Sequence, residues 1–107
     1  FHRNVTSAGM HPAHLTKLMD GTLLLSCGVR IKNLWGILTA VSKDGGDTWS
    51  KPAALCNLGQ LKDGGYPSTV QLDNGELITH FYASGLPAHN RYAVWQIRWK
   101  LEELYDL

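Results

Sequence analysis

The sequence lacks long hydrophobic runs and a strong net charge. Its longest run of large apolar residues is Leu23-Leu24-Leu25, whereas a membrane-spanning helix needs about 20 such residues, so we expect no membrane partner. The formal net charge is only +1, so no strong field attracts nucleic acid or other polyanions. Residues 2–4 are polar and no signal peptide is visible there, which leaves secretion open.

Cysteine is also scarce, and the histidines do not form a metal pattern. Cys27 and Cys56 allow one disulfide at most and are too few for a zinc site, so each is expected to be a buried free thiol. His11 and His14 would face opposite sides of an extended strand, and Pro12 disfavours the helix that would bring them together. We therefore predict no metal site and no cofactor.

Helical periodicity is missing as well. Eleven glycines and four prolines interrupt short apolar stretches in a chain long enough for one small domain, which predicts an all-β fold. Asp20-Gly21 and Asn74-Gly75 are dipeptides typical of tight hairpin turns. The predicted strands are residues 14–18, 22–29, 36–42, 69–72, 76–82 and 92–99. Only residues 101–107 are compatible with a helical turn, which we do not predict.

An internal repeat is present. Residues 18–24 (LMDGTLL) align with residues 72–78 (LDNGELI), which is a period of 54 residues (75 minus 21). Each copy contains a strand, a tight turn, a second strand, an irregular loop and a third strand, the pattern of one β-propeller blade. Closed propellers use about four to eight blades. We therefore predict a partial propeller with one blade in residues 1–60 and another in residues 61–107.

Residues 42–49 (SKDGGDTW) match the Asp-box, Ser-X-Asp-X-Gly-X-Thr-Trp, at every defined position. The role of this motif is structural, because an aspartate carboxylate can accept backbone N–H bonds across a turn and glycine allows positive φ. The tryptophan packs beneath the turn. The five defined positions are Ser42, Asp44, Gly46, Thr48 and Trp49.

Together with this motif, nearly the whole chain resembles the sialidase-like Asp-box family of six-bladed propellers. The segments that carry the resemblance are residues 11–15, 18–24, 28–30, 63–72 and 97–101. The resemblance implies four-stranded antiparallel blades. The last segment resembles the C-terminal blade of that family, whose missing outer strand is normally supplied by the N-terminus. This chain departs from the family because it lacks about four blades.

The resemblance also implies an activity. Enzymes of this family hydrolyse a terminal sialic acid with retention, using a tyrosine nucleophile paired to a glutamate, an aspartate acid/base and three arginines on the sugar carboxylate. Tyr66 lies where the family places its nucleophile, and Asp63 is a weaker catalytic candidate. Arg30, Arg98 and His14 are candidates for binding substrate. The alternative is that these residues have no role in catalysis or binding. Tyr66 and Asp63 would then form turns, and the two arginines would be solvated.

Two functions stay open at this stage. In the first, the chain is part of a sialidase-like glycoside hydrolase that is inactive alone, because its acid/base aspartate and other arginines lie on absent blades. In the second, it is a noncatalytic lectin or scaffold module. The expected partners are a carbohydrate and either two further copies, completing six blades, or the rest of a parent propeller. A typical sialidase parent would be secreted or periplasmic.

Overall fold

The computed structural model describes residues 10–31, 34–59, 63–84 and 92–106. These residues form two antiparallel sheets, one of four strands in the order β1-β2-β3-β4 and one of three in the order β5-β6-β7, so the all-β prediction is confirmed. The strands are β1 Met10–Lys17, β2 Leu23–Ile31, β3 Leu34–Ser42, β4 Ala53–Asn57, β5 Gly64–Gln71, β6 Leu77–Ala83 and β7 Ala93–Trp99. A short 3-10 turn, Leu101–Glu103, follows β7.

The structure differs most from the predicted strands in three places, at β1, β4 and β5. β1 begins at Met10 instead of residue 14, because its pairing with β2 continues through a bulge between Met10 and Ala13. The strand β4 was not predicted, because its residues Ala53–Asn57 include no β-branched side chain. The strand β5 was predicted to start at residue 69, whereas pairing with β6 extends it back to Gly64 through a bulge between Gly65 and Ser68. Within the described residues the second sheet has three strands, not four. The strand expected from the N-terminus falls in residues 1–6, outside the described part.

The two copies of the repeat form equivalent turns. In the first, Leu18 N–H donates to Thr22 O over 2.8 Å and Gly21 N–H donates to Leu18 O over 2.9 Å. In the second, the residues 54 positions later, Leu72, Gly75 and Glu76, make the same two bonds at 2.7 and 2.9 Å. Gly21 and Gly75 have φ values of 90° and 92°, a conformation that glycine adopts without steric cost. The repeat seen in the sequence is therefore also a repeat of backbone geometry.

The sheets pack face to face, with their first strands β1 and β5 side by side. Thr16 Oγ1 donates to Thr69 O over 3.0 Å, and Thr69 N–H donates to His14 Nδ1 over 3.2 Å. Two apolar clusters lie between the sheets, and hydroxyl pairs such as Thr69 with Thr79, 2.8 Å apart, satisfy the polar groups buried beside them. The buried members of the clusters are Leu18, Leu24, Val41, Leu77, Trp99 and Tyr105 in one, and Ile37, Phe81 and Ala83 in the other.

The loop of residues 42–49 is closed by the Asp44 carboxylate. It accepts bonds from Ser42 Oγ at 2.8 Å, from Thr48 N–H at 2.8 Å and from Thr48 Oγ1 at 2.5 Å. Trp49 Nε1 donates to Gly46 O over 3.1 Å. The Thr48 side chain and backbone, followed by Ser42, lower the pKa of Asp44 to about 2. The loop therefore depends on an ionised carboxylate.

This dependence predicts a loss of stability in acid. Because the pKa of Asp44 in the folded protein is below its ordinary value of 3.8, its contribution is present above the ordinary pKa and disappears as the pH falls towards 2. The Tm of the Asp44→Asn variant should therefore fall less steeply than that of the wild type in this window, measured by circular dichroism. Asp47→Asn, in the same loop, is the control and should retain the wild-type slope. Parallel slopes for wild type and Asp44→Asn would contradict the prediction.

Candidate functional site

Ionic and aromatic side chains meet at the end of the sheets where β1 and β5 begin. Asp63 directly precedes β5, Arg30 lies near the end of β2, Tyr82 lies near the end of β6 and Tyr92 directly precedes β7. Because neighbouring strands are antiparallel, the starts of β5 and β7 lie beside the end of β6. We call these four residues, with Tyr66 of β5, the Asp63 cluster.

The Asp63 carboxylate is the centre of this cluster. Its Oδ1 accepts bonds from Arg30 Nη2 and from the Tyr82 hydroxyl, the latter over 3.2 Å, and its Oδ2 accepts a bond from the Tyr92 hydroxyl over 2.8 Å. Backbone bonds with Ser84 fix the position of the residue, since Asp63 N–H donates to Ser84 Oγ and Ser84 N–H donates to Asp63 O. Three segments of the chain therefore converge on one carboxylate.

The electrostatics of the cluster hold Asp63 ionised. The Tyr92 hydroxyl, and secondarily the positive charge of Arg30, lower the pKa of Asp63. The hydrogen bond to Asp63 raises the pKa of Tyr92, whereas burial is the main reason why the pKa of Tyr82 is raised, with the Asp63 charge adding to it. The cluster thus contains a carboxylate, a guanidinium and neutral phenols near pH 7.

Tyr66 presents an aromatic ring to solvent beside these groups. Its side chain is 67% exposed, and its ring stacks on Tyr82 with centroids 5.6 Å apart and an interplanar angle of 27°. It is the only non-glycine residue with positive φ, at 50°, in the part of the chain that the structure describes. Tyr66 lies within the bulge between Gly65 and Ser68, where an irregular backbone is accommodated. Backbone strain of this kind is typical of functional sites.

A small pocket adjoins the Tyr66 ring. Its volume is about 120 Å³, and its lining residues are Pro12, Arg30, Gly64, Gly65, Tyr66 and Tyr82. Arg30 Nε is buried and has no hydrogen-bond partner among the described residues. A Cβ at Gly64 would lie 2.9 Å from Tyr82 O and 2.6 Å from Leu58 Cδ1, so glycine is needed for β5 to approach β6 at this point.

The structure brings some of the predicted site residues together. Tyr66, Asp63 and Arg30 all belong to the cluster. His14 instead links the first strands of the two sheets through Thr69. Arg98 lies apart, because the register of β7 places it opposite Ile78, where its Nη2 bonds Glu76 Oε1 over 2.6 Å.

Tyr82 and Tyr92 are members of the cluster that were not predicted from the sequence. Both stand at the ends of predicted strands, Tyr82 closing the strand of residues 76–82 and Tyr92 opening that of residues 92–99. A hairpin between those strands places the two tyrosines at the same edge of the sheet. The predicted hairpin was therefore the feature of the sequence from which the proximity of the two tyrosines could have been inferred.

A larger open pocket of about 740 Å³ lies at the opposite end of the sheets. Carboxylates dominate its polar lining: Asp20, Glu102, Glu103 and Asp106. The buried polar side-chain atoms without partners among the described residues are Ser26 Oγ and Arg30 Nε, and neither residue lines this pocket. The unpartnered Arg30 Nε thus belongs to the Asp63 cluster and not to this larger pocket.

The described residues include no candidate metal site and no membrane-spanning helix, and both cysteines are free thiols. Within residues 10–31, 34–59, 63–84 and 92–106, no group of three His, Cys, Asp or Glu residues could hold a metal ion, and the His11 side chain lies outside the described ones. No helix in the same residues is long and apolar enough to span a bilayer. Cys27 and Cys56 are both free, but only Cys27 is buried as predicted, whereas Cys56 is half-buried because it lies on the edge strand β4. Burial raises the pKa of both thiols.

No protein-family model matches the chain, and no curated protein or solved structure matches it either. The relation to sialidase-like propellers therefore stays a prediction, as do the blade boundaries at residues 1–60 and 61–107. The expected macromolecular partners, further copies of the chain or the rest of a parent propeller, also stay a prediction.

Proposed function

We propose that the chain is part of a sialidase-like β-propeller and that the Asp63 cluster binds a carbohydrate. Three features support the propeller: the 54-residue repeat with equivalent turns, the consecutive strand order within each sheet, and the packing of β1 beside β5. Propeller blades are antiparallel meanders arranged around a central axis. Under this proposal β1 and β5 are the innermost strands, and the cluster lies at their starting ends.

The observation that carries the binding site is the Tyr66 ring, exposed beside an ion-paired carboxylate and guanidinium. Binding sites for small molecules combine apolar or aromatic walls with a few convergent polar groups. The C–H face of a sugar ring packs on an aromatic face, while its hydroxyl groups bond ionic side chains that are already oriented. The Asp63 cluster provides both kinds of surface.

The same geometry favours binding over catalysis by this chain alone. A tyrosine nucleophile needs a base close to its hydroxyl, but Asp63 bonds Tyr82 and Tyr92, and no hydrogen bond joins the Tyr66 hydroxyl to another described residue. Tyr82 and Tyr92 are themselves poor nucleophiles, because their pKa values are raised. Hydrolysis in a complete ring would require a carboxylate from outside the described residues. This favours the second candidate function, a noncatalytic lectin module.

Two substitutions of Tyr66 separate stacking from catalysis. We expect Tyr66→Ala to weaken binding of methyl glycosides roughly tenfold, because the aromatic platform is lost, whereas Tyr66→Phe should bind like the wild type. Isothermal titration calorimetry measures both, and Met19→Ala, an exposed apolar residue at the opposite end, is the control. Unchanged affinity in Tyr66→Ala would refute the proposed site. Turnover of a fluorogenic sialoside by the wild type that is lost in Tyr66→Phe would show that Tyr66 is catalytic.

A further inference from the structure

The orientation of the Tyr66 ring is not determined by regular strand pairing. Tyr66 and Pro67 lie in the bulge of β5, between the paired residues Gly65 and Ser68, so Tyr66 has no partner in the register with β6. A bulge re-aims the side chains that it contains, and the alternation of a pleated strand does not fix their direction. Because the Tyr66 side chain is 67% exposed, several rotamers would be open to it without another contact.

Tyr82 supplies such a contact. The register of β6 places Tyr82 opposite Gly65, and its ring stacks on the Tyr66 ring with centroids 5.6 Å apart and an interplanar angle of 27°. Offset-stacked aromatic pairs at this separation attract each other beyond the effect of the area that they bury. One face of the Tyr66 ring is therefore held against Tyr82, and the opposite face is the one that a ligand would contact.

The Tyr82 ring is itself held from several sides. Its side chain is half-buried, and its hydroxyl donates to Asp63 Oδ1 over 3.2 Å. The Tyr92 ring lies on it with centroids 5.6 Å apart and an interplanar angle of 51°, and Arg30 pairs with the same Asp63 carboxylate. These contacts leave Tyr82 less conformational freedom than the exposed Tyr66, so Tyr82 can serve as a fixed support for it.

We propose that Tyr82 is a positioning residue, whose ring holds the Tyr66 ring in the orientation that binds a sugar. This inference rests on the proposed function, because it concerns the same site. Without the support, each binding event would have to order the Tyr66 side chain, and the loss of conformational freedom at an interface lowers affinity. Tyr82 thus acts on the ligand through Tyr66.

Two substitutions of Tyr82 separate its ring from its hydroxyl. Tyr82→Phe keeps the ring and should bind methyl glucoside within about twofold of the wild type, whereas Tyr82→Leu should bind about fivefold more weakly, measured by NMR titration. Ile78→Ala is the control, because Ile78 lies on the same face of β6 but four residues from Tyr82, and it should retain wild-type affinity. Wild-type affinity in Tyr82→Leu, or an equal loss in Tyr82→Phe, would overturn the inference.

A double-mutant cycle tests whether Tyr82 acts through Tyr66. The variant that combines Tyr66→Ala with Tyr82→Leu should bind no more weakly than Tyr66→Ala alone, because the ring that Tyr82 positions is already absent. A further loss of about fivefold would mean that Tyr82 contributes independently of Tyr66, which would overturn the inference and leave the proposed function standing. Unchanged affinity in Tyr66→Ala would refute the proposed binding site itself.

The stacking of the two rings can also be tested without a ligand. The ring protons of Tyr66 lie within the ring current of Tyr82, so their NMR resonances should move in Tyr82→Leu and stay near the wild-type positions in Tyr82→Phe. The dispersion of the same spectra shows whether each variant is folded, and Tyr82→Val, which suits a strand better, replaces Tyr82→Leu if that variant is not. Tyr66 resonances that do not move in the folded variant would show that Tyr82 does not position this ring.

Discussion

Replacing Trp99 with alanine is expected to lower the free energy of unfolding by about 3–5 kcal/mol. The side chain is 3% exposed and packs between the sheets in the cluster that contains Leu18, Leu24 and Leu77. Its Nε1 also donates to Thr79 Oγ1 over 2.9 Å, so the substitution removes a buried hydrogen bond as well as a large apolar volume. Urea unfolding followed by circular dichroism measures the change.

Trp95 is a matched control for Trp99. It is the same residue type on the same strand, but its side chain is 38% exposed, so Trp95→Ala should cost clearly less than Trp99→Ala, about 1–2 kcal/mol. If the two variants lose similar stability, the sheets do not pack face to face through Trp99, and the positions assigned to the strands of the second sheet would be wrong.

Gly36→Ala is expected to destabilise the fold by about 3 kcal/mol. A Cβ at this position would lie 2.1 Å from the carbonyl oxygen of Cys56 and 2.9 Å from its carbonyl carbon. Both contacts are with backbone, which cannot move without breaking the pairing of β3 with β4. Thermal and urea unfolding of the variant test this close approach of the two strands.

Gly59→Ala distinguishes steric overlap from the general cost of replacing a glycine. Gly59 has a φ of 83°, but a Cβ at this position would meet no atom within 4 Å, so alanine there should cost only about 1 kcal/mol for its left-handed backbone. A Gly36→Ala variant as stable as Gly59→Ala would contradict the pairing of Gly36 with Asn57.

Short-range patterns predicted the all-β class and six of the seven strands that the structure describes. Asp20-Gly21 and Asn74-Gly75 located the two tight turns, because glycine in positive φ is a local requirement. The strand β4 was not predicted because it depends on pairing with β3. This pairing is possible only because Gly36 has no side chain, a requirement that is not visible in the sequence of β4 itself. The start of β5 was missed for a similar reason, because Gly64 and Gly65 join the strand only through pairing with β6, ahead of the bulge that contains Tyr66 and Pro67.

The candidate site was predictable only in part. Tyr66 and Asp63 are close in sequence, so local reasoning could place them on one rim. Arg30 joins them because β2 ends beside the start of β5, a tertiary relation that no local pattern contains. Arg98 lies at the end of its sheet opposite the Asp63 cluster. Its position is set by the strand register, which depends on the whole hairpin and not on a local pattern.

The most direct test of the central claim is to map where a sugar binds. Backbone amide chemical shifts of the isotope-labelled protein would be recorded during titration with methyl glucoside. A sugar at the Asp63 cluster predicts the largest changes at residues 63–66 and 82–84, with saturation, and little change at residues 101–106. Changes confined to the open pocket around residues 101–106, or none at a saturating sugar concentration, would contradict the account.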